Sequence, residues 1–280
     1  MMNYVDDILA ILSNNNLKKI LSNQSDLEIK EKKGIGNIVT RIDKEIEIYI
    51  SSNLKKMYPD SQIIAEESAD KIEEKIDGGL KFIIDPLDGS TNFSNGWPYS
   101  IAIGVVNNNE LVAGVIYDIL QEKIYTATKG NGVTEICNGK IKKIMKPQYP
   151  KSTIKKSVIV HDTPYGEEAF EKTLKMYSAL VKKGASTKTV GPISLDVLKT
   201  ALGKENRPHD YNDAVWHMEV RAWDLCAVTA ILRELGGEII GKDGKPLSIN
   251  VLTSPTSKIF FIASGNKTLI KELYEIYKHH

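Results

Sequence analysis

The sequence predicts a layered α/β (α+β) protein, and three observations carry that expectation. Stretches with apolar residues at helical spacing alternate with short, continuous apolar runs of strand length. The second half repeats strand then helix four times, an order that packs helices over sheets. Hydrophobic residues at 41% and charged residues at 26% lie near the globular average, and 280 residues suffice for one large core or two modest ones.

The elements follow in chain order. Residues 4–21 carry Val5, Ile8, Leu9, Leu12 and Leu17 at helical spacing. Residues 43–57 repeat the pattern with Ile46, Ile50 and Leu54, and Pro59 ends it. Residues 62–65 and 81–84 read as buried strands, each running into acidic residues. Residues 99–106 and 111–117 read as a hairpin closed by Asn107-Asn108-Asn109, and Asn131-Gly132 and Asn138-Gly139 mark further turns. The polar stretch 142–156, with Pro147 and Pro150, divides the chain into halves 1–145 and 146–280. Beyond it, strands at 157–160, 187–190, 214–220 and 258–263 alternate with helices at 167–182, 194–202, 223–235 and 267–277.

Composition removes several classes of function. Lys+Arg at 37 against Asp+Glu at 36 leaves a formal charge of +1, without the global field of a dedicated nucleic-acid binder. No apolar run reaches the length of a transmembrane helix. Asp6 and Asp7 stand where a signal peptide carries base, which points to the cytoplasm. Cys137 and Cys226 alone cannot build a zinc cluster, and that compartment disfavours a disulfide between them.

The chemistry concentrates in Phe82-Ile83-Ile84-Asp85-Pro86-Leu87-Asp88-Gly89-Ser90-Thr91-Asn92-Phe93. A buried strand delivers Asp85, Asp88-Gly89 makes a tight turn, and Ser90 opens a helix whose free N–H groups suit a phosphate. Two carboxylates beside an anion site suit magnesium, which binds a few carboxylates together with water and substrate phosphate. The same string also serves as an ordinary turn with a helix cap. Ala65-Glu66-Glu67-Ser68 brings more acid to the end of another strand, where surface solvation is the alternative. Arg221-Ala222-Trp223-Asp224 sets Asp224 in a first helical turn, where an acid also complements the helix dipole.

Together, Glu66-Glu67, the Asp85–Ser90 block and Trp223-Asp224 resemble the signatures of the inositol monophosphatase superfamily of magnesium-dependent phosphatases. Val39-Thr40-x-x-Asp43 extends the likeness over most of the chain. The resemblance implies an α-β-α-β-α sandwich of the inositol monophosphatase and fructose bisphosphatase type. It implies a first Mg2+ on Glu66, Asp85 and the carbonyl of Leu87, and a second on Asp85, Asp88 and Asp224. Glu66 would share a weaker third ion through water, giving two or three ions per site. It also implies phosphate held by amides around Gly89 and Ser90, and Asp43 paired with the Ser90 hydroxyl near the nucleophilic water. Glu66, Asp43 and Ser90 are thus the expected catalytic group. Substrate contacts are expected from Glu66, Leu87, Asp88, Gly89, Ser90, Gly191, Pro192, Ile193, His217 and Asp224. The loop Lys30-Glu31-Lys32-Lys33-Gly34-Ile35-Gly36 resembles the family's mobile catalytic loop. A homodimer acting on a small phosphorylated metabolite, with neither nucleic acid nor membrane as partner, completes the expectation.

Three departures bear on the substrate. His217 stands where inositol-specific members carry glutamate, seven residues before Asp224. Gly191-Pro192-Ile193 matches a substrate-facing turn only at its glycine. The segment from Gly203 to Asn212 is enlarged, and Arg207 and His209 there either meet an extra phosphate or solvate a surface insertion. Trp97 is expected beside the motif helix, and Trp216, Trp223 and Cys226 in the core. Inositol 1-phosphate is the first substrate expected and fructose 1,6-bisphosphate the next. The alternatives are 3′-phosphoadenosine 5′-phosphate, or a non-catalytic binding relative.

Overall fold

The computed structural model describes residues 3–22, 30–31, 38–72, 78–149, 153–161, 164 and 166–279. The chain begins with α1 (Tyr4–Leu12) and α2 (Asn15–Ser22), then a ribbon of β1 (Lys30–Glu31) antiparallel to β2 (Ile38–Val39), then α3 (Arg41–Met57). The larger sheet follows: β3 (Gln62–Ala65), β4 (Leu80–Asp88), β5 (Ser100–Asn107), β6 (Glu110–Asp118), β7 (Lys123–Thr128), β8 (Gly132–Cys137) and β9 (Lys140–Ile144), side by side in that order. The short α4 (Ser90–Ser94) sits between β4 and β5.

The rest of the chain gives β10 (Val158–His161), α5 (Glu167–Lys182), β11 (Ser186–Lys188), α6 (Ile193–Asn206), β12 (Ala214–Val220), α7 (Ala222–Glu234), β13 (Glu238–Ile240), α8 (Ile249–Leu252), β14 (Ile259–Ser264) and α9 (Lys267–Lys278). Its five strands form a second sheet in the order β11-β10-β12-β14-β13.

Three apolar clusters stack these elements into five layers. Ile8, Leu12, Ile42, Ile46 and Ile50 of the first helices pack on Phe82, Ile84, Ile101 and Ile103, one face of the larger sheet. The other face, with Ile83, Ala102 and Ile116, meets Leu198 and Leu202 of α6 and Cys226 and Ile231 of α7. Those helices rest in turn on Val160, Val215 and Phe261 of the smaller sheet. Met176, Leu180, Leu269 and Leu273 of α5 and α9 cover its far side with Ile159, Trp216 and Ile262. Strands covered on both faces read as unbroken apolar runs, as Phe82-Ile83-Ile84 does. The fold is the expected α-β-α-β-α arrangement.

Several elements differ from the sequence expectation. The first helix is two, because Asn14 accepts the Asn16 N–H through its side chain at 2.9 Å and starts α2 afresh. The motif strand runs to Asp88 instead of ending at Ile84. Its ladder with β5 shifts between Asp85 and Asp88, where Pro86 has no N–H to give. β7, β8 and β9 were legible only as turns. Asn138 and Gly139 both take positive φ and close β8 on β9. β9 is an edge strand whose lysines face solvent, so it lacks the apolar run that marks a buried strand. Among the described residues, no helix is long and apolar enough to cross a membrane.

Candidate active site

Three elements bring the acids together. β3 runs parallel to β4 with Ala65 opposite Ile84, so Glu66, just past the end of β3, comes beside Asp85 of β4. At the end of β4, Gly89 turns the chain at φ +93°, a left-handed conformation glycine adopts without penalty, and α4 starts at Ser90. From the second half, α7 approaches the sheet closely because Gly104 and Gly114 lie beneath it. A Cβ on Gly104 would overlap the Cys226 side chain, and one on Gly114 the Ala227 carbonyl. That contact sets the first turn of α7, and Asp224 within it, against the end of β4.

Asp85, Asp88 and Asp224 each bring a carboxylate oxygen within 4.8 Å of the others. Asp85 and Asp88 are buried and Asp224 is half-buried. Burial raises all three above the ordinary carboxylate range, and the acids raise one another further. Glu66 contributes to each of these shifts, which puts its charge beside the cluster. Asp88 reaches about 7, opposed by hydrogen bonds from Ser194. Asp85 and Asp224 share a hydrogen bond, and Asp224 accepts the Arg221 N–H at 2.6 Å. Asp85 turns its Oδ1 to the Leu87 N–H at 3.0 Å.

Three hard oxygen donors converging within 4.8 Å fit one or more divalent cations of the magnesium type.

Beside the cluster, the Ser90 hydroxyl donates to Asp43 Oδ1 at 2.5 Å. The other oxygen of Asp43 accepts the Thr40 N–H at 2.9 Å and the Thr40 hydroxyl, which closes the cap of α3. Glu47, one turn on, accepts the Glu67 N–H through its side chain at 2.6 Å and fixes the Glu66-Glu67 turn. From the opposite half, Pro192 lies over Gly89, whose Cβ if present would be 3.1 Å from that of Pro192. Gly191 and Pro192 are buried and Ile193 is half-buried. Ser194 donates its N–H to Asp88 Oδ2 at 2.7 Å.

Asp43, Glu66, Asp85, Leu87, Asp88, Gly89, Ser90, Asp224 and the turn at Gly191-Pro192-Ile193 therefore gather at one place. His217 is held within the smaller sheet. It is buried in β12 opposite Phe261, accepts the Glu219 N–H on Nδ1 at 3.0 Å, and is pushed down to about 4 by burial with His161 nearby. Arg207 donates to Asp210 at 2.8 Å and partly offsets the upward shift that burial gives the nearby Asp118. Trp97 is 56% exposed and is bonded to the motif helix by its backbone N–H, which donates to the Asn92 carbonyl at 2.9 Å. Trp216, Trp223 and Cys226 are core, and both cysteines are free. Of the loop resembling a catalytic loop, Lys30 and Glu31 form β1, and 32–36 lie outside the described residues.

Sequence reasoning did not single out Glu47, Ser100 or Ser194. Glu47 carried a signal, since it shares the buried face of α3 with Ile46, Ile50 and Asp43. The serines carried none, because their partners lie far away in sequence.

The layered fold and the buried acids define a layered α/β protein with a carboxylate cluster of the kind that holds divalent metal. Comparison with known proteins makes this specific. The family model described as the inositol monophosphatase family matches residues 5–276, and the chain belongs to that family. Inositol monophosphatase 1 of Bos taurus is 28% identical over 257 residues, covering 89% of this chain and 85% of the relative. Nus factor SuhB of Haemophilus influenzae is 32% identical over 232 residues, 81% of each. Among solved structures, the IMPase of Thermotoga maritima superimposes with a TM-score of 0.79 at 25% identity, covering 99% of this chain and 98% of that one.

Proposed function

We propose that this chain is a magnesium-dependent phosphatase that hydrolyses small phosphate monoesters, with inositol 1-phosphate its first substrate and fructose 1,6-bisphosphate the next. The observation that supports it is the convergence of Asp85, Asp88 and Asp224 beside the start of α4. Relatives named inositol monophosphatase support the choice of substrate.

In this reading Glu66, Asp85 and the Leu87 carbonyl hold one magnesium, Asp85, Asp88 and Asp224 a second, and Glu66 part of a third. Bound magnesium supplies water activation at neutral pH and offsets charge on the leaving oxygen. The chain's own groups do the rest. Amides around Gly89 and Ser90 orient the phosphate. The Ser90 hydroxyl donates to Asp43, so Oγ can take a proton from the attacking water as its own proton passes to Asp43 Oδ1. Thr40 holds the other oxygen of Asp43 and so keeps Oδ1 facing Ser90. Pro192 closes over Gly89 and narrows the space for the alcohol portion of the substrate.

The test is phosphate release from inositol 1-phosphate, fructose 1,6-bisphosphate and 3′-phosphoadenosine 5′-phosphate, with magnesium and with a chelator. Magnesium-dependent release from either of the first two supports the assignment. Release from the third alone moves the substrate class, and a folded protein that releases from none is a non-catalytic relative.

We also infer a homodimer working in the cytoplasm. Phe170, Leu174, Tyr177 and Val181 form one exposed seam along α5, each more than 40% exposed. Their spacing is self-complementary. In an antiparallel pair about a twofold axis, Phe170 faces Val181 and Leu174 faces Tyr177, while Glu167 and Glu168 face Lys182 and Lys183 of the second copy. Sedimentation should give a dimer for the parent and a monomer for Leu174→Glu/Tyr177→Glu. A parent that sediments as a monomer refutes the pairing.

A further inference from the structure

Asp88 is held from across the molecule. Ser194, in the first turn of α6, gives it the 2.7 Å hydrogen bond from N–H to Oδ2 and a second hydrogen bond from its hydroxyl. The Ser194 hydroxyl in turn lies 2.7 Å from that of Ser100, which stands opposite Asp88 in the β4–β5 ladder. Ser100 and Ser194 are wholly buried and Asp88 is 7% exposed, so water does not compete for these bonds. A carboxylate only accepts. With Asp88 ionised, the single hydroxyl proton of Ser194 goes to Asp88, and the Ser194 oxygen accepts the hydrogen bond of Ser100. In that state the chain runs Ser100 to Ser194 to Asp88.

We propose that Ser194, backed by Ser100, is a positioning residue for Asp88, fixing the carboxylate so that its remaining oxygen is presented to a divalent ion. The proposal rests on the reading of Asp88 as a magnesium ligand. The physical basis is general: partners that orient a ligating group set its affinity nearly as strongly as the ligand itself. Here the partner arrives from the second half of the chain, while Asp88 belongs to the first. Metal binding is thereby coupled to the seating of α6. Lys199 ties α6 to the segment that follows it through Asp210 at 3.5 Å. The α6 N-terminus also favours an acid at that point.

The experiment is magnesium titration of chelator-stripped, full-length protein by calorimetry, with melting of the metal-free form recorded beside it. Ser194→Ala keeps the backbone bond and loses the hydroxyl; it should weaken magnesium binding about 10-fold, while the metal-free melting temperature holds within a few degrees. Ser100→Ala should weaken binding in the same direction and by less. The double variant should bind no more weakly than Ser194→Ala, because Ser100 acts only through Ser194. Magnesium binding to Ser194→Ala at the parent's strength overturns the proposal, as does an additive double variant. Asp88→Asn is the control for the underlying assignment. If it binds magnesium like the parent, the ligand role of Asp88 fails, whatever Ser194 does.

Discussion

Replacing Asp88 with asparagine should stabilise the metal-free protein at alkaline pH while removing its response to magnesium. Burial, then the neighbouring acids, lift Asp88 to about 7 from an ordinary 3.8. The folded state therefore binds the proton more tightly than the unfolded state. The cost of holding the charge is absent below pH 3.8, grows between 3.8 and 7, and is complete above that window. At about 1.4 kcal/mol per unit, the full cost is about 4 kcal/mol at pH 8 and under about 2 kcal/mol at pH 5. The other acids share this energy, so the expected gain for Asp88→Asn at pH 8 is about 2–4 kcal/mol, or roughly 5–10 °C in a chain of this length. Asparagine keeps an oxygen for the Ser194 N–H, so that bond survives. The assay is thermal melting in chelator and in saturating magnesium at pH 5 and pH 8. The parent should rise on adding magnesium at pH 8, the variant should not, and the two chelated proteins should differ most at pH 8. A variant that melts at or below the parent at pH 8 without metal, or that keeps the parent's magnesium shift, refutes the reasoning.

Ser90→Ala, which removes the donor to Asp43, should lower kcat by about 10²–10³ and leave magnesium affinity near the parent's in titration. Gly114→Ala forces α7 outward at the Ala227 carbonyl; denaturant melts should show a loss of about 1–3 kcal/mol, accompanied by weaker magnesium binding because Asp224 moves with α7. His217, pushed down to about 4, binds its proton less tightly folded than unfolded, so stability is lost as pH falls from its ordinary 6.5 toward 4. His217→Gln should melt with less loss over that window, and an unchanged acid slope would show that the imidazole is not the group responsible.

What the sequence revealed and what it hid divide by the range of the interactions. The motif strand, its turn and the opening of α4 were legible because each is set locally: an apolar run, a proline, a glycine at φ +93° and a helix start lie within a dozen residues. Asp43 and Ser90 were paired only through family resemblance, since 47 positions separate them. Nothing local marks Ser194 as the partner of Asp88, which lies 106 positions away. In β9 the run Lys140-Ile141-Lys142-Lys143-Ile144 hid a strand, because a sheet edge facing solvent needs no continuous apolar side. The burial of His217 and its bond to Glu219 are products of the β12–β14 ladder, which no local pattern announces.

The placement of the acids explains why the two halves need each other. Asp85 and Asp88 come from the larger sheet, Asp224 from a helix packed between the sheets, and the donor to Asp88 from another helix in that middle layer. Without a cation, these like charges resist the packing that glycine at 104 and 114 makes so close. With one bound, the same charges draw α7 and the end of β4 together. Burial that is a cost to the metal-free fold becomes a gain in affinity, since a dry site strengthens each carboxylate's attraction for the ion. Loosening the middle layer at Gly114 should therefore weaken metal binding without touching a carboxylate, whereas a change on the far face of α9 should leave it alone.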